Sequence, residues 1–134
     1  MDEIEDWTRS SAMVTVTVAP HRVGLIRAML ETLLLRVDFS VETTSDLVLA
    51  VTEICEQIVE RSDHRHPLTC SVVTGPHAAD GEIRGVVQTG RRRLGVGVGW
   101  QLVNASVDHV DVTSADCPDG RDVTVSFSKL REPA

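Results

Sequence analysis

The side chains best suited to chemistry lie in the segment LVLAVTEICEQIVERS, which runs from Leu47 to Ser62. Glu53 and Gln57 are four residues apart, so a helix would place them together on one face. Asp46 and Glu60 lie seven residues to either side of Glu53, close to the same line. A carboxylate stacked on an amide can hold a divalent cation and orient a nucleophile. Spacing alone also fits the solvated face of an ordinary amphipathic helix, and favours that interpretation.

A second candidate feature is the glycine-rich stretch GVGVGWQLV, from Gly95 to Val103. Glycines that lead into a helix expose backbone N–H groups, and together with the helix dipole these favour a phosphate. Glycine also lets the backbone approach a ligand closely. A flexible loop before a helix gives the same pattern, so the stretch is weak evidence when taken alone.

Arginines and histidines are the remaining candidates. Arg91, Arg92 and Arg93 are adjacent and could clamp phosphates or meet an acidic partner, although such a run is usually a solvated loop. The histidines show no regular ligand spacing, and we interpret them as surface residues: His21, His64, His66, His77 and His109.

The pattern of apolar residues predicts the elements that carry these side chains. MVTVTVA alternates in the manner of a strand, apolar spacings of three and four predict helices, and Ser40 is a plausible N-cap. The predicted strands are 13–19, 68–74, 82–89, 109–113 and 123–127, and the predicted helices are 21–37, 41–62 and 100–107. This order predicts an α+β two-layer sandwich, in which three helices cover one face of a mixed or antiparallel sheet.

Composition limits the classes of protein that the chain can represent. Its 134 residues suit one domain, predicted at 13–130 between a disordered tail at 1–12 and a short tail at 131–134. The net charge of −7 argues against nucleic-acid binding. No apolar run is long enough to span a membrane, and three widely spaced cysteines indicate reduced thiols, so we expect a cytoplasmic protein.

Three segments together resemble one known family. LAVTEICEQIV (49–59) resembles the N-box of RsbW-type anti-sigma factor/serine kinases, GVGWQLVNASVDHVDV (97–112) resembles their second glycine box, and DGRDVTVSF (119–127) resembles their final hairpin. The segments occur in the family's order and the similarity spans about residues 13–130. The resemblance implies the histidine-kinase-like ATPase (GHKL) fold, and the chain looks closest to degenerate actinobacterial members similar to anti-sigma F.

The resemblance also implies a function and partners. Family members sequester a sigma factor, and many use ATP to phosphorylate a STAS-domain anti-anti-sigma protein. We therefore expect an anti-sigma factor that binds an alternative sigma factor and is released by such an antagonist. Active serine kinase activity is the alternative, and a homodimer is expected because relatives often form one.

The same resemblance assigns roles to residues of the candidate site. Glu53 stands where the family has its general base, and Gln57 stands where the family has the asparagine that binds Mg²⁺. Gly97 and Gly99 would contact the phosphates of ATP.

Several positions depart from the family pattern. Gln88 and Gly90 stand where the family has the DxG motif that accepts from adenine, and Arg121 or Asp122 replaces a threonine. Gln57 is one methylene longer than asparagine, which displaces its oxygen from a tight Mg²⁺ shell. Losing the charge-assisted bond to adenine costs about 1.5–3 kcal/mol, or about 10- to 150-fold in affinity. We therefore expect binding of ATP and Mg²⁺ to be weak or absent, which leaves enzyme activity open.

Overall fold

The computed structural model describes residues 11–131, and these fold into one sheet with helices packed on it. The predicted tails therefore lie largely outside the described residues, although the first strand already begins at Ala12. The five strands are β1 (Ala12–Val18), β2 (Leu68–Thr74), β3 (Ala78–Val87), β4 (His109–Cys117) and β5 (Gly120–Leu130).

The helices occupy the two long gaps between these strands. A short 3-10 turn at Pro20–Arg22 precedes α1 (Val23–Arg36), which is followed by α2 (Val41–Arg61) and α3 (Val98–Ser106). Pro20 suits the start of this helical segment because its fixed φ angle is helical and it needs no hydrogen-bonded N–H. Ser40 caps α2 as predicted, since its hydroxyl accepts from the Thr43 backbone N–H at 3.0 Å.

All strand pairs are antiparallel, and the spatial order is β1-β2-β3-β5-β4. The predicted α+β fold is confirmed, with a sheet that is antiparallel throughout and three helices packed on it. Alternate residues of β2 and β3 point under the helices and are buried, while their neighbours are more exposed. This alternation is what a sheet covered on one face requires.

Aliphatic side chains form the core between the sheet and the helices. Leu47, Ile54 and Ile58 from α2 meet Ile83 and Val125 from the sheet, and each is at most 1% exposed. Close approach of α2 to the sheet depends on Gly85, where an added Cβ would lie 2.7 Å from the Ile58 side chain. The core therefore fixes α2 directly above β3.

Two cysteines fill space in this core. Cys55 and Cys70 are fully buried and unpaired. Burial raises the pKa of the Cys70 thiol to about 12, and it raises the pKa of Cys55 further. Both thiols therefore stay protonated at neutral pH and pack as small apolar groups.

Strand β3 begins four residues earlier than the sequence prediction, which placed it at 82–89. It runs from Ala78 to Val87, because pairing with β2 on one side and β5 on the other overrides the turn-like local sequence AADG. Gly81 fits within the strand because the Phe127 ring and the Ser71 carbonyl leave no space for a Cβ. Residues 88–90 consequently lie in the loop that follows β3.

Candidate functional site

Helix α2 places Glu53 and Gln57 on the side that faces the start of α3. Their side chains touch, since Gln57 Nε2 donates to Glu53 Oε1 at 3.2 Å. Gln57 is 6% exposed, whereas Glu53 is half-buried. The predicted stacking of a carboxylate and an amide on one helix face is therefore present in the structure.

Gly99 brings the glycine turn directly against this pair. A Cβ on Gly99 would overlap the Glu53 carboxylate and lie 3.1 Å from Gln57 Nε2. Gly97, immediately before α3, has a φ of 94°, which favours glycine. The two features predicted separately from the sequence thus form one site, and only glycine allows this close contact.

A cavity of about 210 Å³ opens between these elements, and we call it the glycine-turn cavity. It is lined by Glu53, Gln57, Glu60, Arg61, Arg92, Val96, Gly97, Val98 and Gly99. The Gln57 amide oxygen is buried and has no hydrogen-bond partner among the described residues. An unpaired buried acceptor costs about 1–3 kcal/mol, so this oxygen is available to a ligand that supplies a donor or a cation.

Asp46 and Glu60, the two carboxylates predicted to lie in line with Glu53, are in different environments. Glu60 lies at the rim of the glycine-turn cavity, as its spacing from Glu53 suggested. Asp46 does not line this cavity, and instead pairs with Lys129 at 3.4 Å. The line of three carboxylates suggested by the sequence therefore reduces to Glu53 and Glu60.

A second cavity of about 340 Å³ lies beyond the end of β3, and we call it the arginine cavity. It is lined by Val87, Gln88, Thr89, Gly90, Arg91, Arg92, Arg93, Leu94, Val112, Ser114, Arg121 and Val123. Gln88 and Gly90, the residues predicted to meet adenine, are therefore in this cavity and not in the glycine-turn cavity. Arg121, one of two positions matched to the family's threonine, is here as well.

Arg61 holds the segment that divides the two cavities. Its side chain is 7% exposed and donates from Nε to the Arg92 carbonyl at 2.8 Å and from Nη1 to the Gln57 carbonyl at 2.9 Å. The Arg61 carbonyl in turn accepts from the Gln88 N–H at 2.8 Å. Residues 88–92 are thereby attached to the end of α2. Sequence reasoning missed Arg61, although its position four residues after Gln57 on the same helix was a usable signal.

The amide of Gln88 already has a partner. Its Oε1 accepts from Arg91 Nε at 3.0 Å. The family's carboxylate would accept from the amino group of adenine at this position. In this chain an arginine from the following loop uses that acceptor, and the other charged side chains around the cavity are arginines as well.

The two cavities differ in how well their residues fit ATP and Mg²⁺. In the glycine-turn cavity, the free Gln57 oxygen, the adjacent carboxylate and the N-terminus of α3 suit a cation and a phosphate. The arginine cavity has no carboxylate among its lining residues to accept from the amino group of adenine, and Gln88 Oε1 is already bonded to Arg91. Arg92 lines both cavities, and the residues present fit the phosphates and cation of ATP better than its adenine.

The described residues do not supply a complete set of metal ligands on their own. Between residues 11 and 131, no group of three or more His, Cys, Asp or Glu side chains is arranged to hold a metal ion. A cation at Gln57 would therefore depend on ligands that the chain itself does not supply, such as phosphate oxygens and water.

Comparison with known proteins identifies the fold. No family model matches the chain, and no curated protein matches it. Among solved structures, it is similar to the RsbW domain in the crystal structure of the RsbU and RsbW domains of Rv1364c from Mycobacterium tuberculosis. The TM-score is 0.70 at 17% identity, and the match covers 92% of this chain and 34% of that one. The chain therefore has an RsbW-like fold and spans about a third of the length of the chain in that structure.

Within residues 11–131, each helix is too short or too polar to cross a bilayer.

Proposed function

We propose that this chain is an anti-sigma factor, which binds an alternative sigma factor and is released by a STAS-domain anti-anti-sigma protein. The observation that carries the proposal is the RsbW-like fold, combined with the three sequence segments that resemble the boxes of the RsbW-type family. The same proposal includes two expectations for the chain, that it forms a homodimer and that it is located in the cytoplasm.

The proposal assigns this role without a requirement for ATP. Sequestration needs only a binding surface, whereas kinase activity needs an intact nucleotide site. The site has kept the contact between Glu53 and Gly99 and has lost the carboxylate expected for adenine. A protein that binds its partner without nucleotide is consistent with this arrangement.

A groove between α1 and α2 is a suitable surface for the sigma factor, and we call it the helix groove. It has a volume of about 300 Å³ and is lined by Arg27, Glu31, Leu35, Val41, Thr44, Ser45, Val48, Leu49 and Thr52. Leu35 is 50% exposed and Val41 is 72% exposed, although both are apolar. An amphipathic helix of the sigma factor would cover these side chains, which is a common mode of recognition.

A capture experiment tests the proposal directly. The purified chain is immobilised, sigma factors of the native host are passed over it without nucleotide, and bound proteins are identified. We expect one alternative sigma factor to be retained at micromolar concentration. Retention of none would remove the anti-sigma assignment.

Two substitutions locate the surface. Two surfaces are candidates, the helix-covered side and the strand edge near residues 13–36. Leu35→Asp places a charge in the helix groove, and Met13→Asp places one on the exposed edge strand β1. We expect Leu35→Asp to weaken capture by at least tenfold and Met13→Asp to leave it unchanged. Leu102→Asp, on an exposed position of α3 outside the groove, is the matched control.

Serine kinase activity is the second candidate function, and it is favoured by the buried free oxygen of Gln57 beside Glu53. Calorimetry and thermal shift with ATP and Mg²⁺ separate the candidates. An absence of heat and of thermal shift would exclude the kinase. If transfer to a STAS-domain protein is observed, Glu53→Ala should abolish it while leaving sigma capture intact.

A further inference from the structure

The arginine cavity concentrates positive charge on an acidic protein. Arg91, Arg92, Arg93 and Arg121 are four of the chain's 13 basic residues, while the net charge of the whole chain is −7. Among residues 11–131, these four side chains have one acidic partner within 4.0 Å, which is Asp116 at 3.8 Å from Arg121 Nε. Asp116 is 94% exposed, so this pair is weak. The guanidinium groups are therefore available to an anion.

The floor of the cavity is apolar. Val87 and Val123 are nearly buried at the ends of β3 and β5, and Val112 and Leu94 complete the lining. A volume of about 340 Å³ lies within the range of small-molecule sites. The combination suits a small molecule that carries several negative charges, more than an extended peptide.

Two neutral groups orient the guanidiniums in advance. Arg91 Nε donates to Gln88 Oε1 at 3.0 Å, and Arg121 Nη2 donates to Ser114 Oγ at 2.8 Å. Neither partner neutralises the charge, so further N–H donors of each arginine stay available to a ligand, and Arg121 Nε faces only the exposed Asp116. Arg61 fixes the loop backbone through the Arg92 carbonyl, which lowers the ordering cost of binding.

We propose that the arginine cavity binds a small polyphosphate anion, and that it does so without Mg²⁺. The planar fork of arginine matches phosphate oxygens in a bidentate manner, and several arginines together replace the divalent cation as the counter-charge. In this mode phosphates occupy the position where the family resemblance places adenine. The inference concerns a ligand site and is independent of whether the chain binds a sigma factor.

Calorimetry with inorganic tripolyphosphate in the presence of a chelator tests the proposal. We expect saturable binding to the full chain that weakens as salt is added, because exposed charges are screened. The double variant Arg93→Gln/Arg121→Gln should bind about tenfold more weakly. The matched control Arg22→Gln/Arg36→Gln removes the same charge beside and within α1, and should retain the original affinity.

Three outcomes would overturn the proposal. They are the absence of binding at millimolar tripolyphosphate, an equal loss of affinity in both double variants, and a loss of binding in Gln57→Ala while Arg93→Gln/Arg121→Gln binds normally. The last result would place the anion in the glycine-turn cavity. Circular dichroism of each variant confirms that the fold is intact, and sigma capture is measured separately.

Discussion

The glycine-turn cavity and the arginine cavity share a wall, but they differ in the polar groups that line them. The glycine-turn cavity retains the contact of Gly99 with Glu53 and Gln57, together with a buried acceptor that has no partner among the described residues. The arginine cavity has Gln88 at the position that the family resemblance matches to the adenine-binding carboxylate, and Gln88 Oε1 is bonded to Arg91. The first cavity suits a cation and a phosphate, and the second suits an anion.

This difference shows that one fold can preserve the framework of a site while its ligand chemistry changes. The glycines are held by packing, because Gly99 and Gly120 have no space for a side chain. The arginines that line the arginine cavity are exposed and meet no such restriction, and Gln88 is half-buried. Packing therefore fixes the backbone at Gly99 and Gly120, whereas the exposed arginines determine the charge of the arginine cavity.

The largest expected effect is on Gly120, the first residue of β5, which precedes Arg121 of the arginine cavity. Gly120→Ala would force a Cβ into the Val87 carbonyl at a φ of 143°, so we expect a loss of about 2–4 kcal/mol in urea unfolding. Gly90→Ala is the control, since its φ of 88° is strained but nothing lies within 4 Å. It should lose about 1 kcal/mol. Equal losses in both variants would mean that the contact with Val87 is unimportant.

Arg61 is expected to have the next largest effect, because it holds the wall between the cavities. Arg61→Leu removes the hydrogen bonds to the Gln57 and Arg92 carbonyls, and should cost about 1–3 kcal/mol. Hydrogen exchange at Arg91–Arg93 should become faster at the same time. Arg61→Lys keeps the charge but cannot make both hydrogen bonds of the planar guanidinium group. The amide hydrogens of residues 91–93 should therefore exchange faster in this variant as well. Unchanged exchange in both variants would show that the wall is held by other contacts.

The contact between Gly99 and Glu53 should have a smaller effect on stability. Gly99→Ala displaces the Glu53 carboxylate and breaks its hydrogen bond with Gln57, which should cost about 1 kcal/mol. The Glu53 side chain can move, so the cost is smaller than at Gly120. Gly24→Ala on α1 meets nothing within 4 Å, and should be neutral or slightly stabilising. A stable Gly99→Ala variant with unchanged Glu53 chemical shifts would contradict the contact.

The smallest expected effect lies beside the site, at Asp63 after the end of α2. Hydrogen bonds from the Arg65 backbone N–H and side chain lower the pKa of Asp63 to about 2 from its usual 3.8. A lowered pKa stabilises the fold above pH 4, and this contribution is lost as the pH falls towards 2. Asp63→Asn should therefore reduce the fall in the free energy of unfolding between about pH 4 and pH 2. An unchanged fall would contradict the lowered pKa of Asp63, and Asp119→Asn is the control.

Much of the fold could be predicted from the sequence, because its signals are local. The alternation of β2 predicted Leu68–Thr74 to the residue, and the Ser40 cap fixed the start of α2. Where prediction failed, long-range pairing prevailed over local preference. β3 begins four residues before its predicted start, and β4 and β5 extend to a turn at Pro118–Asp119.

The candidate site could be predicted in part for the same reason. Helical spacing indicated Glu53 and Gln57, and the glycine pattern indicated Gly97 and Gly99. The division of the candidate site into the glycine-turn cavity and the arginine cavity could not be foreseen from the sequence. It depends on Arg61, which donates to a backbone carbonyl 31 positions away. Predicted roles of the site residues in binding ATP and Mg²⁺ remain predictions.

Capture of a sigma factor with and without ATP and Mg²⁺ is the most direct test of the central claim. The proposed function predicts that the immobilised chain retains one alternative sigma factor with the same affinity in both conditions, and releases it to a STAS-domain protein. Failure to retain any sigma factor, or retention that requires the nucleotide, would contradict it.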